Sequence, residues 1–245
     1  MFTEEKQCMI FAAGLGTRLK PLTDTLPKAL VPVNGKPLLE HILLRLKAAG
    51  FTKIIINVHH FADQIIDFIA QNDWGMNICI SDERDKLLET GGGIKKAEKL
   101  FTHNQPCLIH NVDILSNLDI NRFYAAHNIN NLATVLVSKR TSNRYLLFNE
   151  ENRLVGWTNV QTGEVKTPYE HLDITSCKHL AFAGIHIISP AIFKLMKDWE
   201  DKFSIVDFYL SVAQQQQIYG YEAEHLRIID VGKLDTLQEA EKFLQ

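Results

Sequence analysis

Two rhythms of apolar residues alternate along the first half of the chain. Unbroken apolar runs at CMIFAA (8–13), KIIINV (53–58), MNICIS (76–81) and CLIHNVD (107–113) have the length and β-branched content of buried parallel strands. Between them lie stretches with helical spacing. In KPLLEHILLRLKAAG (36–50), Leu39, Ile42, Leu43, Leu46 and Ala49 fall on one face, Pro37 suits a first turn and Gly50 suits the stop. FADQIIDFIAQN (61–72) and TGGGIKKAEKLF (90–101) read as further helices. Strands separated by helices of this length imply βαβ units and a parallel sheet covered on both faces.

The second half is less regular. ATVLVS (133–138) is a strand, and YLLFN (145–149) with RLVGW (153–157) reads as a hairpin about an acidic turn. LAFAGIHIIS (180–189) is a strand, followed by a short helix from Pro190 and a helix over IVDFYLSVAQQQQ (205–217). LRIIDVG (226–232) is a strand and TLQEAEKFL (236–244) a terminal helix. No linker, repeat or long low-complexity tract interrupts the pattern. The expectation is one α/β domain over 1–245 with a mixed central sheet: a regular first half to about 115 and a substrate-side lobe over about 116–225.

Composition narrows this picture by exclusion. The 245 residues are 46% hydrophobic and 22% charged, an ordinary globular mix with enough apolar material for a large core. A net charge of −3 gives no basic field for nucleic acid or an anionic membrane, so any anion must be gripped locally. No apolar run approaches a membrane span, and the opening MFTEEKQC lacks the basic and apolar parts of a signal peptide. Cys8, Cys79, Cys107 and Cys177 lack paired zinc spacing and read as buried thiols of a reducing compartment, the cytoplasm. Ten histidines show no HExxH or other ligand spacing, no CxxC or Ser-His-Asp set is evident, and Lys95, Lys96 and Lys99 read as a solvated helix face.

The candidate chemistry lies in the punctuation between elements. AAGLGTRLKPLTDTLPKAL (12–30) follows the first strand, where an open parallel sheet places its ligand. Gly14 and Gly16 let backbone approach a ligand closely, and backbone N–H groups at such a turn bind phosphate oxygens. Two phosphate motifs fail. Leu19 stands where the dinucleotide fingerprint has its third glycine, and Gly35-Lys36 runs into Pro37 instead of completing GxxxxGK[ST]. The loop carries its own cations instead: Arg18 with a planar fork, and Lys28 as a point charge behind the stiff Pro27.

LLETGGG (87–93) opens a helix with three glycines, at an entropic cost that close approach of a flat base or a sugar would offset; a helix start capped by Thr90 is the plainer reading. Asp113 in HNVDI and Asp230 in IIDVG each end an apolar run, where a carboxylate can hold Mg²⁺. Either alone could equally be a turn residue.

Together these residues resemble a known family. Residues 9–40, MIFAAGLGTRLKPLTDTLPKALVPVNGKPLLE, closely resemble the signature of nucleotidyltransferases acting on sugar 1-phosphates, and the likeness extends through LETGGG, HNVDI, FAGIHIISP (182–190) and IIDVG. The LETGGG form looks most like the uridylyltransferases that act on N-acetylmuramate 1-phosphate in cell-wall recycling. The resemblance implies a Rossmann-like sheet and transfer of a nucleoside monophosphate from an NTP, UTP favoured, to a sugar 1-phosphate. It implies that Ala12, Ala13 and Gly14 meet the base and ribose and that Gly16, Thr17 and Arg18 wrap the triphosphate. Lys28 would bind the phosphates of both substrates, and Thr90, Gly91 and Gly92 would shape the base pocket. Asn111 and Gly184 would lie near the sugar, and Asp113 and Asp230 would hold Mg²⁺. The chain departs from the family pattern at Asn111, where relatives usually show Gly, and over GWTNVQTGEVKTP (156–168). Mannose or heptose 1-phosphate with GTP, phosphocholine with CTP, a non-catalytic nucleotide-sugar sensor, and monomer or homodimer all stay open at this point.

Overall fold

The computed structural model describes residues 5–244; residues 1–4 of the opening MFTEEKQC and Gln245 lie outside the described residues. The first half is built on four parallel strands in the order β5–β4–β1–β6. These are β1 (Lys6–Phe11), β4 (Phe51–Val58), β5 (Asn77–Asp82) and β6 (Cys107–Asn111). Two-residue strands β2 (Pro32–Val33) and β3 (Lys36–Pro37) form a tight hairpin before helix α1 (Leu38–Ala48). Its turn residues Asn34 and Gly35 both have positive φ, the conformation an Asn-Gly hairpin turn takes. Pro37 therefore sits in an extended cap position rather than in the first turn of the helix. Helices α2 (Ala62–Ala70) and α3 (Glu89–Lys96) complete this half.

The apolar periodicity explains the packing. On α1, Leu38, Leu39, Ile42, Leu43 and Leu46 are buried, and Gly50 ends the segment at φ 80°. Met9 of β1 joins one core cluster while Cys8 and Ile10 join the other, as alternation across a strand covered on both faces requires.

The second half adds β7 (Ile114–Ser116), α4 (Ile120–Ala125), β8 (Ala133–Ser138), β9 (Arg144–Phe148), β10 (Leu154–Asn159) and β11 (Glu164–Lys166). After these come β12 (Lys178–Ile188), α5 (Ala191–Met196), α6 (Ile205–Val212), β13 (Ile218–Glu222), β14 (Ile228–Asp230) and α7 (Leu234–Phe243). The long strand β12 joins the halves. Its Ile185–Ile188 end runs antiparallel to β6, while Lys178–Leu180 pairs with β9, which carries β10 and β11 beyond it. The result is one mixed ten-stranded sheet, with β13 parallel to β8 on a branch from β12. A second, two-stranded sheet pairs β14 with β7.

Some expectations are corrected. The helix expected over 205–217 ends at Val212, because the Arg153 guanidinium binds the carbonyls of Ala213 and Gln214 at 2.9 and 3.0 Å and turns the chain. Cys8 and Cys107 are buried, and burial pushes both thiols well up, but Cys79 and Cys177 are only half-buried. Lys95 is not merely solvated: its ammonium reaches the Trp199 carbonyl and lies 3.7 Å from Asp201. No helix among the described residues is long and apolar enough to cross a membrane.

Candidate active site

The segment after β1 turns inward because its backbone is tied down. The Ala12 amide donates to Asn57 Oδ1 on β4 at 2.8 Å, and Asn57 Nδ2 donates in turn to Glu83 Oε1 at 2.8 Å. Gly16 takes φ 65°, with the flank where a Cβ would stand closed by Thr23 Cγ2 at 2.9 Å and Lys28 Cβ at 3.2 Å. Its carbonyl accepts from the buried Thr23 hydroxyl at 2.8 Å. The remainder of the loop is three 3₁₀ turns, Thr17–Leu19, Leu22–Asp24 and Lys28–Leu30, pinned by buried Leu19 and Ala29. Pro27 stands extended at the head of the third turn and delivers Lys28 inward.

This loop closes one side of a cavity of about 440 Å³ at the carboxyl ends of β1 and β6. Ala13, Gly14, Gly16, Thr17, Arg18 and Lys28 line that side. Thr90, Asn111 and Asp113 line the other walls. Lys28 is buried and its ammonium is paired with the Asp113 carboxylate. A second cavity of about 910 Å³ adjoins, bounded by β9, β10 and the start of α6, and Arg18 lines both.

Asp230 faces the second cavity and reaches Asp113 through the small sheet. It pairs with Ile114, and the Val231 amide donates to the Asp113 carbonyl at 2.8 Å. Partial desolvation, then the Asp113 charge, raises the Asp230 carboxyl from the usual carboxylate range, against the pull of Lys28, Arg18 and Arg140. Arg18 and Asp230 also converge over Gly232, where an added Cβ would stand 2.8 Å from Arg18 Nη2 and 2.7 Å from Asp230 Oδ1. Asp113, in the turn between β6 and β7 rather than at a strand end, and Asp230, at the end of β14, repel one another beside open cavity and are a donor set that fits Mg²⁺, which takes one or two protein carboxylates. No cluster of three or more His, Cys, Asp or Glu placed for a metal exists among the described residues.

Besides Asp230, which lines the second cavity, four expected site residues lie off the first cavity's wall. Ala12 is buried behind it. Gly184, at φ 73°, lies beneath the Asn111 side chain, whose Nδ2 would be 2.7 Å from an added Cβ, so Gly184 seats Asn111. Gly91 and Gly92 correct the expectation of a base lying against the glycine run. What approaches them is the chain itself: both amides donate to the Phe203 carbonyl, and a Cβ would collide with the Phe203 ring at Gly91 and with the Asp201 carbonyl at Gly92. Thr90 lies one residue into α3 and caps α6 instead, its hydroxyl accepting from the Ile205 amide at 3.0 Å.

Sequence reasoning missed Asn57 and Glu83. Glu83 is fully buried, bonded to Asn57, and burial raises its carboxyl. Both line the first cavity. The available signal was a lone amide in the apolar run IIINV, at the end of a parallel strand where ligands bind.

Residues 7–245 match the family described as Nucleotidyl transferase. The chain belongs to that family. It is 34% identical over 233 residues to N-acetylmuramate alpha-1-phosphate uridylyltransferase of Caulobacter vibrioides, covering 90% of each chain. It is 37% identical over 188 residues to the protein of the same description from Neisseria meningitidis serogroup B, covering 76% of this chain and 77% of the relative. In fold it matches a Yersinia pseudotuberculosis protein, HddC, solved in complex with GMP-PN, with a TM-score of 0.76 at 23% identity over 98% of this chain and 100% of that one. As a nucleotidyltransferase, the chain has its signature glycine loop and both loop cations at one cavity.

Proposed function

We propose that this nucleotidyltransferase transfers the uridylyl group of UTP to a sugar 1-phosphate, releasing pyrophosphate, and that the sugar is N-acetylmuramate. The observation that carries the reading is the shared wall at Arg18, where a nucleotide-sized cavity adjoins a larger polar one. The two relatives described as uridylyltransferases support the choice of base and sugar.

An oxygen of the sugar phosphate attacks the α-phosphorus of UTP. A new P–O bond forms in line as the bond to the pyrophosphate oxygen breaks. The attacking phosphate is already ionised, so no general base is required. The protein's part is position and countercharge. Gly14 and Gly16 admit the triphosphate, Arg18 pairs with its outer oxygens, and Lys28 stands where the two phosphates meet. Asp113 and Asp230 would hold Mg²⁺, which when bound would neutralise phosphate charge. Lys28 exchanges its Asp113 partner for phosphate as substrates arrive.

The test is pyrophosphate release with UTP, Mg²⁺ and a panel of sugar 1-phosphates, repeated with GTP, CTP and ATP. Product with UTP and N-acetylmuramate 1-phosphate is expected. Asp113→Asn, with a native melt, is expected to lose on the order of 10²-fold or more in turnover. No pyrophosphate from any pair, or a fully active Asp113→Asn protein, would sink the reading or its metal assignment respectively.

A further inference from the structure

The larger cavity has a wall built by strand register. Arg144 pairs with Asn159 and Asn159 with Glu164; two residues along, Leu146 pairs with Trp157 and Trp157 with Lys166. Residues opposite in register, and those two apart on a strand, share a face. All six line the cavity, so β9, β10 and β11 present one continuous face to it.

The charges on that face are unevenly paired. Lys166 is held by Asp207 at 2.9 Å and by Glu164 at 3.9 Å, with its ammonium 5.3 Å from the centre of the Trp157 ring. Arg140 donates to the Phe182 carbonyl at 3.1 Å, and its charge acts on Asp230, on the phosphate side. Arg18 belongs to both cavities. Arg144 differs from these. Among the described residues its guanidinium has no carboxylate within ion-pair distance and no hydrogen bond, yet it stands close enough to Lys166 for the two positive charges to repel.

We infer that Arg144 is a specificity residue that pairs with a carboxylate on the sugar, so the cavity selects sugar 1-phosphates bearing a second, carboxylic anion. The inference rests on the sugar 1-phosphate reading above and adds the feature of the sugar that is recognised. The planar fork of an arginine matches a carboxylate with two parallel hydrogen bonds. A second phosphate fits less well, because Glu164 and Asp207 share the wall and would repel a dianion. The lactyl ether of N-acetylmuramate supplies such a carboxylate, and N-acetylglucosamine differs from it by lacking that group.

The experiment compares kcat/KM for N-acetylmuramate 1-phosphate and N-acetylglucosamine 1-phosphate, each with UTP and Mg²⁺. The native enzyme is expected to favour the carboxylated sugar by about 10- to 100-fold, the range for one hydrogen-bonded charge. In Arg144→Met, with a cooperative melt retained, that ratio collapses toward unity through a rise in KM for the carboxylated sugar, and Arg144→Lys keeps part of it. A native preference for the neutral sugar, or an undiminished ratio in Arg144→Met, would overturn the inference and leave the nucleotidyl transfer standing. No product from any sugar with any NTP would overturn both.

Discussion

Gly14 and Gly92 face very different surroundings. A methyl group added at Gly14 would meet nothing within 4 Å, whereas one added at Gly92 would strike the Asp201 carbonyl. The first glycine lies on a loop bordering the nucleotide-sized cavity. The second lies in α3, where Gly91 and Gly92 let the 201–203 segment dock close enough for its Phe203 carbonyl to take both amides. Glycine supplies the same thing in each place, the absence of a side chain. What lies in that space is open cavity in one case and the protein's own backbone in the other. Composition alone cannot tell these apart, because a glycine records only that something comes near.

The largest effect is expected from the cation beside the open loop. Lys28→Met should lower turnover on the order of 10²- to 10³-fold, about 3–4 kcal/mol, while the protein still melts cooperatively. Pyrophosphate release at saturating UTP checks this, and near-native turnover would make Lys28 only the structural partner of Asp113. Next is Gly92→Ala. Overpacking against a carbonyl should cost about 3 kcal/mol, and the melting temperature of a chain this size should fall by roughly 6–12 °C. An unchanged melt with weakened UTP binding would reverse the comparison and put a ligand against the second glycine run. Thr90→Val should be milder, at about 1 kcal/mol, because it removes the acceptor of the Ile205 amide at the start of α6.

The parallel half was legible because each buried strand and amphipathic helix states its environment in its own periodicity. The loop 12–30 stood out for a different reason: two glycines, Arg18 and Lys28 in a fixed order break every regular pattern, and the structure puts all four on one cavity wall. The lobe was harder. Glu164–Lys166 is three exposed residues, and nothing in such a segment signals a strand until β10 lies beside it. Ile218–Glu222 follows four glutamines that read as helix, and only pairing with β8 makes it a strand. Arg144 could not be told from any surface arginine, because what sets it apart is that no carboxylate among the described residues lies within ion-pair distance of it, although Glu164 and Asp207 share its wall. Asp113 and Asp230 were visible as strand-end acids, but their convergence depends on β7 pairing with β14, a contact between residues more than a hundred positions apart.

The smallest stability effect, and the sharpest test of the comparison, belongs to Gly14→Ala. Gly14 is not among the glycines with positive φ, so alanine can adopt its backbone conformation without strain. Its Cβ direction is empty, so no neighbour has to move. Stability should therefore change by less than about 0.5 kcal/mol, with any gain coming from a less flexible unfolded chain. The same methyl narrows the approach a triphosphate needs, so the UTP KM should rise several-fold while the melting temperature holds. Gly92→Ala should do the converse, lowering the melt with little change in UTP KM for the molecules still folded. If Gly14→Ala instead lowered the melt, the loop would be packing against chain rather than ligand. If neither KM nor melt moved, the triphosphate would have to enter past another part of the loop, with Gly16 and Arg18 the remaining candidates on the same wall.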